Sequence, residues 1–94
     1  MTLEEYKETL QLEQAPSQLD KPLQAMWYAA NGNWEKAHDL AQELNDSASA
    51  WVHAYLHREE GDISNAQYWY SRANRSVPHS TLEQEWDMIV STLL

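Results

Sequence analysis

Hydrophobic positions along the chain fall into short stripes at helical spacing, each bracketed by capping and turn residues. Leu3, Tyr6 and Leu10 form the first stripe. Before it, Thr2-Leu3-Glu4-Glu5 has the form of a capping box, in which a hydroxyl and a carboxylate three residues on satisfy free amides reciprocally. This helix is expected to stop before Pro16, because the residue ahead of a proline is driven out of helical geometry. A second helix is predicted from an Asp20 cap, with Pro22 in its first turn and Leu23, Met26, Trp27 and Ala30 as its apolar positions. Asn31-Gly32 ends it, and Asn33 caps a third helix with the stripe Trp34, Ala37, Ala41 and Leu44, and Leu40 beside it. Asn45-Asp46-Ser47 breaks the chain again. The fourth helix carries Trp51, Val52, Ala54, Tyr55 and Leu56 to about Glu60, and Gly61-Asp62 repeats the earlier turn. The fifth is expected to bury Ile63, Ala66, Tyr70 and Ala73 before Val77-Pro78. Ser80-Thr81-Leu82-Glu83 opens a last helix with Leu82, Trp86, Ile89, Val90 and Leu93 on one face. The prediction is an all-α fold, one domain over residues 1–94, of about six helices each antiparallel to its neighbours.

The turns repeat because the sequence does. Gly32-Asn33-Trp34-Glu35-Lys36-Ala37 returns as Gly61-Asp62-Ile63-Ser64-Asn65-Ala66, a shift of 29 residues that also pairs Leu23 with Val52, Ala25 with Ala54, Met26 with Tyr55 and Leu40 with Trp69. A self-similar unit of this size is the mark of stacked helical hairpins. Repeat 1 is placed at about residues 21–48, repeat 2 at about 50–78, and a C-terminal capping helix at about 80–94. The first and last helices are amphipathic enough to cover the ends of the stack.

The second copy, with Ala54, Gly61, Asp62, Ala66, Tyr70, Ala73 and Pro78, resembles tetratricopeptide and Sel1-like helical repeats. The first copy keeps Ala25, Tyr28, Gly32, Asn33, Trp34 and Ala37 but has Ala41 where a large residue is usual. Its period of 29 is shorter than the standard unit of about 34 residues, so the link between hairpins is trimmed. The stretch from Ala50 to Asp62, with Asn65-Ala66-Gln67-Tyr68-Trp69-Tyr70, is also similar to a group of small, uncharacterised proteins built on such repeats. The resemblance covers about residues 22–78. It implies a protein-interaction role through a groove lined by the first helix of each hairpin, here Pro22, Met26, Ala29 and Ala30 together with Trp51, Tyr55, Arg58 and Glu59. The Lys/Asn arrangement with which some relatives clamp a peptide's terminal carboxylate is missing. A fold of this kind does not itself specify a chemistry.

Composition narrows the partners. Fifteen acidic residues against 6 Lys+Arg leave a formal net charge of −9, which opposes binding to a polyphosphate backbone. No segment is apolar enough to span a bilayer, no basic-then-apolar leader opens the chain, and there is no cysteine, so the expectation is a cytoplasmic protein without nucleic acid or membrane as partner. With 5 Trp, 5 Tyr and no Phe, nearly every aromatic carries a polar handle suited to half-buried sites.

Few residues point to chemistry. His53 and His57 lie one helical turn apart, the spacing two imidazoles need to share a metal, but a zinc site requires further ligands and Ala54 stands where a metalloprotease motif has Glu. They correspond to Gln24 and Tyr28 of the first copy, so the reading is hydrogen bonding or interface contact, with no metal and no cofactor assigned. Arg58, Asp62, Asn65, Tyr68 and Arg72 cluster about the second turn. Tyr68 and Arg72, four apart on the outer flank, suit a cation–π pair or an anion-binding edge, although Asp62 also reads simply as a cap and Arg72 as a solvated residue. Trp34 and Trp69 are assigned to the core, and Trp51 and Tyr55 to the surface. No catalytic residue is assigned, since no phosphate loop, Ser-His-Asp grouping or carboxylate pair is present. The reading is a non-enzymatic protein- or peptide-binding module that uses Trp51, His53, Tyr55, His57, Arg58, Tyr68 and Arg72. A small enzyme or metal- or anion-binding protein using His53, His57 and Arg58 is one alternative, and a homodimeric structural protein, its surplus aromatics forming the dimer contact, is another.

Overall fold

A computed structural model describing residues Met1–Leu94 is all-helical. Its six helices are α1 (Leu3–Thr9), α2 (Lys21–Ala30), α3 (Trp34–Gln42), α4 (Ser47–Glu60), α5 (Ile63–Arg72) and α6 (Leu82–Leu93). Every start is a side-chain cap. Thr2 and Thr81 form full capping boxes with Glu5 and Gln84, and Asp20, Asn33, Asp46 and Asp62 each accept from the amide three residues on.

Three of the helix ends share one device. Gly32 (φ 79°) and Gly61 (φ 88°) take the left-handed conformation, and the following amides reach back to Tyr28 O and His57 O, both at 2.9 Å. After α5 the same pair of bonds forms around Asn74 (φ 59°), with Asn74 N donating to Ser71 O and Arg75 N to Tyr70 O. A short polar side chain replaces glycine there, at some cost in backbone strain. Helix α1 is shorter than the expected run to Pro16. The carbonyl of Thr9 accepts the Trp27 indole N–H at 3.0 Å, and the Gln11 and Leu12 amides close i→i+3 bonds, so the chain leaves the helix early and docks on α2.

Helix α4 is the axis of the molecule. It touches α2, α3, α5 and α6. Its residues from Ser49 to His57 are buried without interruption, as expected of a helix enclosed on all sides. Its neighbours α3 and α5 bury narrow stripes, Ala37 with Ala41 and Ala66 with Tyr70. Two expected core residues therefore lie outside. Leu44 is 42% exposed because α3 ends at Gln42, and Ile63 is 47% exposed because it begins α5 on the solvent side. Trp34 and Trp69 are partly buried against the core.

Helix α6 packs across α2 and α4 and also touches α1. Trp86, Ile89 and Val90 are its buried anchors, each contributing roughly 1.5–3 kcal/mol through area removed from water. The Trp86 indole N–H donates to Met26 O at 3.1 Å, and its ring lies 5.7 Å from that of Tyr6. The face on which a groove was expected is thus largely covered by the chain's own last helix. That is why Trp51 and Tyr55, expected at the surface, are each only 4% exposed, and why Pro22, Met26 and Ala29 are buried. Of the groove residues on α2, Ala30 alone stays exposed.

Candidate functional site

The residues singled out in the sequence divide into four places around α4 and α5. Trp51 and Arg58 belong to a buried polar knot centred on Glu85 of α6, which is 2% exposed. Its carboxylate accepts from the Tyr70 hydroxyl at 2.6 and 2.8 Å, from the Trp51 indole at 3.2 Å and from the Arg58 guanidinium at 2.7 Å. Arg58 also donates to Ser80 O. A buried carboxylate is tolerated only when donors surround it, and here two helices, α4 and α5, supply them. Burial and the adjacent carboxylate push the Tyr70 hydroxyl well above the ordinary tyrosine range. Arg75 covers the outer face of Trp51, its guanidinium carbon 3.4 Å from the ring centroid, beside a recess of about 480 Å³ that also borders His79 and Met88. Glu85 falls three residues after Leu82 and four before Ile89, so its place on the apolar stripe of α6 was visible in the sequence as a polar residue out of register.

Tyr55 lies in the part of the groove that α6 leaves open. Here a cleft of about 430 Å³ has Leu10, Ala29, Ala30, Tyr55 and Trp86 as its apolar lining and Lys7, Glu59, Glu83 and Asp87 around it. Lys7 is paired with Asp87 at 3.1 Å, whereas Glu59 and Glu83 take part in none of the four ion pairs. Partial desolvation raises the Glu59 carboxyl above its usual range. Burial likewise raises the Tyr55 hydroxyl.

His53 and His57 face the other side of α4, where they meet a residue the sequence reading passed over. His38 of α3 places its Nε2 2.9 Å from His53 Nε2, and one ligand nitrogen from each of the three rings lies within 4.8 Å of the others. Trp34 stacks on His38 (4.8 Å, 15°) and Trp69 on His53 (3.9 Å, 13°). His57 Nδ1 is 2.6 Å from Glu60 Oε1, and its Nε2 is 3.4 Å from the Asn65 amide nitrogen. Burial, then the neighbouring imidazoles, drop the His53 pKa to about 4, and burial lowers that of His38. The signal for His38 was its position four residues after Trp34 and three before Ala41, on the flank of the buried stripe.

Tyr68 and Arg72 lie outside the knot and the cleft, next to Trp69, the Arg72 guanidinium carbon 5.4 Å and the Tyr68 ring 5.2 Å from its ring centroid. Tyr68 is 52% exposed, and Arg72 donates to its hydroxyl at 2.9 Å and to Asn45 Oδ1 at 2.9 Å, tying α5 to the link before α4. The seven residues proposed from the sequence therefore do not form one surface.

Comparisons with protein-family models, with curated proteins and with solved structures give no match. What is defined is the class, an all-α protein of six helices in which the last helix seals most of one face. No helix is long and apolar enough to cross a membrane.

Proposed function

We propose that the chain is a non-enzymatic helical module, built in the manner of tetratricopeptide and Sel1-like repeats, that binds a peptide segment of another protein. The cleft between α2, α4 and α6 is the binding site in this reading. The observation that carries it is the combination of an apolar lining with two unpaired carboxylates, Glu59 and Glu83. Apolar concavity with a few fixed polar groups is the usual form of a ligand site. A protein of net charge −9 adds a long-range preference for cations, so the occupant is a segment carrying Lys or Arg beside an apolar residue.

Selection from a random displayed peptide library, run in parallel on the wild type and on Glu59→Lys, tests this. Enrichment of basic–apolar peptides by the wild type, lost with Glu59→Lys, is the expected result. No enrichment, or the same peptides from both proteins, overturns it.

A further inference from the structure

On the side of α4 away from the cleft, the three-histidine cluster joins the two helical hairpins, with His38 on α3 and His53 and His57 on α4. Three imidazoles converging in a chain with only 4 histidines call for a physical account. His38 and His53 share one proton between nitrogens 2.9 Å apart, so one of the two rings accepts with a lone pair that an ion could take in its place.

We propose that His38, His53 and His57 bind a single divalent transition-metal ion of the Zn²⁺ type, with a fourth coordination position left for water or an incoming ligand.

Four observations support the site. Nitrogens bound at about 2.0–2.1 Å to a tetrahedral ion stand roughly 3.3–3.4 Å apart, so the His38–His53 pair opens by about half an ångström while the His57 nitrogen, within 4.8 Å of the other two, draws in. His57 is held by Glu60 at Nδ1, which fixes the proton there and makes Nε2 the ligating nitrogen, its long 3.4 Å contact with the Asn65 side-chain amide being the one an ion would displace; this is the carboxylate–imidazole arrangement that orients metal-bound histidines elsewhere. Trp34 and Trp69, stacked on His38 and His53, restrict the ring orientations before any ion arrives. His53 and His57 are buried while His38 is only partly so, which gives an ion a way in. The depressed basicity of His38 and His53 adds that these rings are neutral near pH 7, the form that ligates.

Ligand chemistry selects the ion. Three imidazole nitrogens with no thiolate suit Zn²⁺, Ni²⁺ or Cu²⁺, and they are a poor set for Ca²⁺ or Mg²⁺, which take oxygen donors. Because the ligands come from both hairpins, an ion would clamp α3 to α4 and favour the folded state by mass action.

The test uses untagged full-length protein freed of metal with a chelator. Isothermal titration with ZnCl₂ is expected to give one ion per chain and a rise in Tm. Co²⁺ should give the intense visible bands of a four-coordinate site, and Cu²⁺ should quench tryptophan fluorescence through Trp34 and Trp69. His38→Ala removes a ligand that is only partly buried and should weaken Zn²⁺ binding at least tenfold. Glu60→Gln should weaken it about 10–100-fold, the range seen when a residue orienting a metal ligand is lost. His79→Ala, in the recess beside Trp51, should bind as the wild type does. Should His38→Ala fail to fold, the histidine ¹⁵N shifts of the wild type decide, with Nε2 of three rings moving on Zn²⁺ addition. Absence of saturable binding overturns the proposal. So does Zn²⁺ binding that folded His38→Ala leaves intact, or ¹⁵N shifts that stay still, since either places the ion elsewhere.

Discussion

Glu85→Gln changes one charge at the point where three helices meet. The substitution keeps the side-chain shape but puts an amide N–H₂ where a carboxylate oxygen had accepted only donors, from Tyr70, Trp51 and Arg58. The Arg58 side chain, 16% exposed, keeps Ser80 O as a partner but loses its counter-charge. Removing one member of a buried ion pair costs about 3–5 kcal/mol, and the retained Ser80 bond and amide oxygen place this case near the lower end, about 3 kcal/mol. A chain of 94 residues has roughly 5–14 kcal/mol of stability in all. At about 4–8 °C per kcal/mol, the melting temperature should fall by roughly 12–24 °C. Urea denaturation followed by far-UV circular dichroism and tryptophan fluorescence measures the change. Replacing both charged partners, Glu85→Leu with Arg58→Leu, should recover part of the loss, since no unpaired charge is left while the buried Tyr70 hydroxyl and Trp51 N–H lose their acceptor. A loss below about 1 kcal/mol for Glu85→Gln, or a double variant worse than the sum of the singles, would refute the role given to this knot.

The remaining predictions are shorter. Trp51→Ala and Tyr55→Ala should each cost about 3–5 kcal/mol as losses of buried aromatics, and the pair together should lose helicity by circular dichroism; a fully helical double variant would return these residues to the surface. In metal-free buffer, stability should fall as pH drops from about 6.5 through about 4. In that window the unfolded chain takes up a proton that folded His53 refuses, buried as it is against His38 on α3, His57 on α4 and Trp69 on α5. The loss is of order 2 kcal/mol, and a His53→Gln variant with an unchanged pH profile would contradict it. Asn74→Gly should hold or raise stability while Asn74→Ala lowers it by about 1 kcal/mol, since alanine gains nothing from the left-handed turn; equal melting temperatures would remove the strain argument.

The helices were legible because their signals are local. Caps at Thr2, Asp20, Asn33, Asp46, Asp62 and Thr81, with glycines 32 and 61, mark boundaries within a few residues of the interactions they make. The candidate sites were less so. Whether Trp51 and Tyr55 face solvent depends on where α6 lies, and the Trp51–Glu85 bond spans 34 residues of chain. No periodicity along α4 carries that information. His38 and His53 are 15 residues apart on different helices, so the cluster exists only once α3 packs on α4. Glu85 is the exception, as a charged residue on an apolar stripe is visible in the sequence and asks for buried partners.

The most direct measurement is amide chemical-shift mapping with the basic–apolar peptide that dominates the library selection. Titration should move Ala29, Ala30, Tyr55 and Glu59, with Trp86 on α6, and leave the α5 surface at Tyr68 and Arg72 unchanged. Shifts gathered at Tyr68 and Arg72 with the cleft silent would contradict binding between α2, α4 and α6.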